Sequence, residues 1–317
     1  MVTEPFGEPV PLAGGPAVAV PLPVAGTAGL TASWRDYVTL TKPRIMSLLV
    51  LTAVCAMVAA AGGRPGALAL LALTVGGGLA CGAAGAFNHI LDRDIDRVMG
   101  PRTADRPVAA GRVSPRKAAL FGAALAVASF LIMTTLTNLL AAVLALAGGV
   151  YYVVVYTAWL KRSTSQNIVI GGAAGAIPAL SGWAAANGQL GLGAWLLFVI
   201  VLVWTPPHFW ALALLLKRQY RAADVPMLPV VKGAQATVRQ VLVYTVLLLA
   251  VSLVPAATGT FGILYLVAAG LLGTIFVWLA GRLWRRCTPA AAGIVFHYSL
   301  LYLALLFVAV AVDAIVR

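Results

Sequence analysis

Nine apolar runs alternate with short polar segments along the chain, near residues 44–61, 67–90, 117–136, 138–159, 167–186, 194–215, 239–257, 262–281 and 293–315. About 20 apolar residues in a helix cross the roughly 30 Å of hydrocarbon in a bilayer. None of the runs shows the period-two alternation of a barrel strand, and helix is the only open structure that satisfies its own backbone in lipid. Their borders carry turn chemistry: Gly62-Gly63-Arg64-Pro65-Gly66, Asn187-Gly188 and Thr258-Gly259-Thr260. The pattern predicts an all-α, polytopic membrane protein with about nine transmembrane helices bundled over residues 34–317.

Composition agrees. Hydrophobic residues make up 62% of the 317 and charged residues only 10%, where a soluble domain needs roughly 25% to keep its surface wet. The net charge of +13 does not point to nucleic acid, because the basic residues lie between apolar runs and read as topology and phosphate chemistry. Residues 1–33 are rich in Pro, Gly, Ala and Val, with acids at Glu4 and Glu8 and no basic stretch. They are expected to form a disordered tail. Cys55, Cys81 and Cys287 form no CxxC pair and read as packing residues. Gly76-Gly77-Gly78, Gly171-Gly172 and Gly175 allow close helix approach and are architecture.

Charge placement predicts orientation. Arg35, Lys42 and Arg44 precede the first run, and the loop after the second carries Arg93, Arg97, Arg102, Arg106, Arg112, Arg116 and Lys117. Lys161 and Arg162 follow the fourth run. Lys217, Arg218, Arg221, Lys232 and Arg239 follow the sixth, and Arg282, Arg285 and Arg286 the eighth. Only Arg64 and Arg317 fall on the other side, so 20 of the 22 basic residues share one face. The positive-inside rule makes that face cytoplasmic, with the N-terminus inside and the C-terminus outside an inner (plasma) membrane.

Acids are scarce. Of nine, four crowd into one segment: Asp92, Asp94, Asp96 and Asp105. Asn88, Asp92 and Asp96 recur every fourth residue, so a helix drifts by only about 40° between them and lines all three on one face over about 12 Å. Two anions so close repel unless a cation sits among them. Mg²⁺ suits, since it takes one or two carboxylates and shares its remaining positions with water and phosphate oxygens. The plainer alternative is a helix end neutralising its own arginines. Acids at a membrane boundary point to function. Arg102, Arg106, Lys161 and Arg162, with Lys42 and Arg44, could hold a diphosphate around the same face.

The stretches NHILDRDIDRVM (88–99), Arg106-Pro107-Val108 with Gly111-Arg112-Val113, and YTAWLKR (156–162) resemble the intramembrane prenyltransferases of the UbiA type. So do NIVIGGAAG (167–175), WTPPHFWAL (204–212) and VPMLPVV (225–231), all in order over roughly 35–317. The resemblance is closest to the branch that farnesylates haem. It implies a nine-helix bundle with a central cavity open to the cytoplasm and farnesyl diphosphate bound through Mg²⁺ at Asn88, Asp92 and Asp96. It also implies haem b as a substrate alkylated on a vinyl group to give haem O, and a haem-copper oxidase or a further haem-modifying enzyme to receive the product.

One departure stands out. Where the family carries an acidic triplet after the HFWALAL run, this chain reads Arg218-Gln219-Tyr220, and the nearest acid is Asp224. Either Asp224 substitutes, or Arg218 supplies its own charge to the phosphate, or activity is altered. His208, beside Pro206 and Pro207, could contact haem iron or a propionate, or accept a proton. The alternative is a histidine satisfied by a neighbouring backbone carbonyl. His89 faces away from the acidic stripe and reads as packing or a haem contact, and His297 begins the last helix near the interface. Tyr156 could line a cavity and steady an allylic cation. Asn167 could approach the diphosphate or simply cap its helix. Competing readings are a prenyltransferase for another acceptor such as a quinone precursor, a non-catalytic relative that binds haem, and a transporter. Charge gathered at one face argues against the last.

Overall fold

The computed structural model describes residues 32–317. The expected tail over 1–33 lies outside the described residues except for its last two. Of these, Ser33 accepts from the Arg35 amide, while Asp36 accepts from the Ser33 amide at 2.9 Å. This capping box starts a short helix, α1 (Trp34–Leu40). Nine helices among the described residues are long and apolar enough to cross a membrane: α2 (Pro43–Ala60), α3 (Ala67–Leu91), α5 (Pro115–Leu136), α6 (Leu139–Ser163), α7 (Asn167–Asn187), α8 (Leu192–Leu215), α10 (Gly233–Ala257), α11 (Ile263–Arg286) and α12 (Pro289–Val316). Two short helices, α4 (Arg93–Met99) and α9 (Lys217–Ala222), follow α3 and α8.

The predicted boundaries shift by up to six residues, and the last helix starts four residues earlier than expected. It begins at Pro289 because Thr288 caps it and a proline is tolerated at its first position. His297 therefore sits two turns inside α12, bonded to the Gly293 carbonyl at 2.7 Å, rather than at its start. Caps from Ser114 and Asn138 open α5 and α6, and Gly188 at φ 76° ends α7.

Consecutive helices pack antiparallel, α7 leans on α2, α6 and α8, and α12 closes the bundle against α2, α8 and α11. Large buried side chains (Trp210, Tyr265, Phe276, Tyr302, Phe307) fill the α8–α10–α11–α12 half. Small residues let backbones touch elsewhere. A Cβ at Gly182 would lie 1.9 Å from the Ala53 carbonyl oxygen, so α7 and α2 meet backbone to backbone. Buried polar groups tie the apolar helices together. Tyr302 Oη meets Ser252 Oγ at 2.7 Å, and Tyr265 Oη donates to the Ser252 carbonyl at 2.7 Å. At the opposite end from the basic loops, the buried Asp313 carboxylate accepts from the Gly262 amide at 2.6 Å and caps α11 from a neighbouring helix.

α6 widens into a π-helix over Tyr151–Leu160. Such widened turns are uncommon and concentrate at functional sites. Here the turn ends at Lys161, on the same face of the bundle as the acidic segment.

Candidate active site

The acidic face forms where α3 ends. The expected continuous helix through 88–96 bends at Asp92, whose φ of −86° and ψ of 2° leave the helical region. The hydrogen bonds persist across the bend, from the Asp92 amide to the Asn88 carbonyl (2.9 Å) and from the Asp96 amide to the Asp92 carbonyl (2.7 Å). The three side chains therefore stay on one buried side: Asn88, Asp92 and Asp96 are all 1–2% exposed.

Three cations meet them. Lys161 donates to Asp92 Oδ2 at 2.7 Å, Arg106 to Asp96 Oδ1 at 2.6 Å, and Lys42 to Asn88 Oδ1. The Asn88 amide nitrogen donates to Asp92 Oδ2 (2.8 Å) and to Thr157 Oγ1 (3.0 Å), linking α3 to the π-helical turn. Lys42 reaches inward from a left-handed backbone at φ 54°, strained for a residue with a side chain, between α1 and the Pro43 that opens α2. That conformation costs roughly 1–2 kcal/mol and is held by its surroundings.

Two oxygens, Asp92 Oδ1 and Asp96 Oδ2, are buried with no partner. A lone buried carboxylate oxygen is costly, and two of them on one face suit a cation. No group of three or more His, Cys, Asp or Glu side chains gathers among the described residues. An ion held here would therefore have two carboxylates from the protein and complete its shell from water and phosphate, the habit of Mg²⁺. Asn88 Oδ1 already receives Lys42, so a direct bond from Asn88 to a metal requires that lysine to shift.

The electrostatics match a site short of anions. Burial pushes the Asp96 carboxyl up, opposed by Arg106. Burial, then the nearby Arg106 charge, pulls the Lys42 ammonium down to about 7. Three cations crowd two carboxylates, an arrangement that a polyanion such as diphosphate would relieve.

The remaining expected residues divide. Arg162 forks onto Asp94 with two 2.8 Å bonds and donates to the Leu91 carbonyl at 2.7 Å, so it locks the end of α3 rather than facing Asp92. Asp224, exposed at φ 51°, shares with that pair an open cleft of about 370 Å³. Arg44, Arg102 and Arg218 are exposed and make no ion pair among the described residues. Tyr156 stacks on Tyr152 with centroids 5.6 Å apart and packs on Gly171. Asn167 makes no cap. It is fully buried with both amide atoms lacking a partner, which leaves it open to a polar ligand. His89 is buried with Nδ1 unpartnered.

His208 lies apart, seven residues before the end of α8 and so about 10 Å below that end. Trp204 stacks on it at 4.4 Å and Phe296 at 5.0 Å. Its Nδ1 is 2.6 Å from Ser299 Oγ, whose own proton goes to the Phe296 carbonyl at 2.6 Å. Nδ1 must then carry the proton, and Nε2 the lone pair. Sequence reasoning missed Thr157 and Tyr220. Thr157 stands four residues before Lys161, one helical step that could have found it. Tyr220 is buried beside Arg106 and Asp92, and burial raises its phenol to about 12, keeping it neutral.

Residues 49–310 match the UbiA prenyltransferase family. The chain belongs to that family. It is thus a multi-pass membrane prenyltransferase. A protoheme IX farnesyltransferase from Gloeobacter violaceus is 52% identical over 90% of this chain and 94% of its own length. Another from Thermus thermophilus is 52% identical over 91% of this chain, which spans only 47% of that longer relative. Among solved structures, a digeranylgeranylglyceryl phosphate synthase superposes with a TM-score of 0.73 at 19% identity, covering 89% of this chain and 99% of its own. A UbiA homolog from Archaeoglobus fulgidus bound to GPP and Mg²⁺ superposes at 0.61 with 14% identity, covering 87% and 99%. These two structures share the fold.

Proposed function

We propose that this UbiA-family protein transfers a farnesyl group from farnesyl diphosphate to a vinyl group of haem b, giving haem O. The reaction would take place at the cytoplasmic face of a plasma (inner) membrane, in a central cavity open to that side, with the N-terminus inside and the C-terminus outside. The observation that carries the reading is the 52% identity, over nearly its whole length, to a relative that is a protoheme IX farnesyltransferase. The unpartnered oxygens of Asp92 and Asp96, ringed by Lys42, Arg106 and Lys161, support the diphosphate end of it.

In this reading Asp92 and Asp96 would hold Mg²⁺, with Asn88 orienting Asp92 and Lys42, and the metal would supply charge neutralisation for the departing diphosphate. Lys42, Arg106 and Lys161 bind the phosphate oxygens and favour the developing negative charge over the ground state. Arg44, Arg102 and Arg218 draw the diphosphate in from the loop face, and Arg162 and Asp224 border its entrance. Asn167 offers its buried amide to the same ligand. The carbon–oxygen bond of the prenyl diphosphate breaks with its electron pair on the leaving group. The allylic carbon bonds to the vinyl terminus, and water adds at the other vinyl carbon and releases a proton. Tyr156 and Tyr152 present π faces to the allylic cation and keep water from it. His208, with its lone pair on Nε2, serves the haem side as proton acceptor or haem contact.

The test is turnover in membranes containing the protein, supplied with haem b, farnesyl diphosphate and Mg²⁺. A hydroxyethylfarnesyl haem should appear by mass spectrometry and disappear with EDTA and in Asp92→Ala. Folded protein that yields no haem product would overturn the proposal.

A further inference from the structure

Away from the acidic site, the junction of α11 and α12 forms a small groove of about 70 Å³. Its charged wall is Arg282 and Arg286, one turn apart at the end of α11, and Arg285 stands exposed between them. Like charges so spaced repel on a helix. The negative end of the α11 dipole favours cations there but leaves their forked donors unbonded. Neither arginine has an ion-pair partner among the described residues, because the carboxylates are engaged elsewhere. Asp36 and Asp105 meet Arg112, Asp92 meets Lys161, Asp94 meets Arg162, Asp96 meets Arg106 and Asp313 meets Arg317. Asp224 lines the other cleft.

The opposite wall is the start of the 28-residue α12, where Thr288 and Ala290 bring the positive end of its dipole to the same groove. Leu279 and Ile294 make an apolar floor, and Ile294 is half exposed. Tryptophans place the groove at the membrane boundary. Trp278 is exposed and carries Arg282 over its ring at 4.8 Å, and Trp284, six residues further along α11, is exposed as well. Two free guanidinium forks, a helix start and an adjoining apolar strip ask for an anion joined to a hydrocarbon chain.

We infer that the α11–α12 groove binds the phosphodiester headgroup of an anionic phospholipid on the face that carries the basic loops. Arg282 and Arg286 grip the phosphate, and an acyl chain runs along Leu279 and Ile294. The site is separate from the prenyl-transfer chemistry and does not depend on the acceptor being haem.

Native mass spectrometry of the detergent-solubilised full chain, titrated with phosphatidylglycerol or phosphatidylcholine, tests this. Wild type should prefer phosphatidylglycerol. Arg282→Gln/Arg286→Gln should bind it about 25-fold more weakly, about fivefold per arginine, with phosphatidylcholine binding unchanged. Arg116→Gln/Lys117→Gln removes the same charge from the same face and should leave phosphatidylglycerol binding intact. If the double arginine variant does not fold, Arg286→Gln alone, at an exposed position, should show the fivefold loss. Equal phosphatidylglycerol binding by wild type and the arginine variants overturns the inference, as does an equal loss in the Arg116/Lys117 control. Displacement of the lipid by millimolar inorganic phosphate would also overturn it, since the groove would then be a free-anion site.

Discussion

Replacing Lys161 by methionine isolates the energetics of the acidic face. Lys161 is buried, and its ammonium lies 2.7 Å from an Asp92 carboxylate that is itself 2% exposed. Methionine keeps an apolar chain out to the Cε position and removes the ammonium. Asp92 Oδ1 has no partner to begin with. In the variant Oδ2 keeps only the Asn88 amide, so the buried carboxylate loses its one direct ion pair. Breaking such a pair costs about 3–5 kcal/mol, and the remaining Asn88 bond places the expectation near the lower end, about 3 kcal/mol. Denaturant unfolding in a fixed micelle with EDTA would measure it. Adding Asp92→Asn removes the stranded charge and should recover all but about 1 kcal/mol. Mg²⁺ should stabilise Lys161→Met more than wild type, because the ion takes over the role of the lost ammonium, and should leave Asp92→Asn variants unmoved. A Lys161→Met protein within about 0.5 kcal/mol of wild type would refute the argument. So would a double variant as unstable as the single one, because the pair would then not be electrostatically coupled.

Other consequences are simpler. Gly182→Ala sets a methyl 1.9 Å from the Ala53 carbonyl oxygen and should cost at least about 2 kcal/mol by forcing α7 from α2, read as a fall in the unfolding midpoint. Asp313→Ala strands the Gly262 amide at the start of α11 and should cost about 1–3 kcal/mol while leaving the Km for prenyl diphosphate unchanged. Burial alone would raise Asp36, but its bonds to Arg112 and to the Ser33 amide outweigh this, so its carboxyl sits below the usual range. A depressed acid stabilises above its unfolded value, near 3.9. Protection of α1 from proteolysis should therefore be full above about pH 4 and fall only below it, and Arg112→Ala should remove that acid-dependent step. Arg218→Gln, at an exposed position, should change kcat/KM for prenyl diphosphate by less than about threefold, where Arg106→Gln should lower it by more than about tenfold.

The apolar runs made the bundle legible, because in lipid each span must satisfy its own backbone and so announces itself by length alone. Glycine-lined contacts such as Gly182 on Ala53 were legible only as small residues, since which helices meet is a tertiary fact. At the site, the i, i+4, i+8 spacing correctly grouped Asn88, Asp92 and Asp96 even though the helix bends at Asp92. The basic residues were harder. Lys161 and Arg162 are adjacent in sequence, yet one turns inward to Asp92 and the other outward to Asp94, a choice set by the helix phase after the π-helical turn. That turn carries no sequence mark strong enough to be read in advance. Lys42 likewise depends on a left-handed backbone that its residue type disfavours. Arg112, read only as a loop charge, clasps both Asp36 and Asp105, a pairing across 76 residues that no local pattern discloses.

The most direct measurement of the central claim is a competition between acceptors. The purified protein in lipid nanodiscs would receive farnesyl diphosphate and Mg²⁺ with haem b and an aromatic quinone precursor together, and each prenylated product would be resolved by mass. The account predicts farnesyl-hydroxyethyl haem as the product, absent in Asp92→Ala and Asp96→Ala and abolished by EDTA. Prenylated quinone precursor with untouched haem would contradict it, and so would haem product that persists in both aspartate variants.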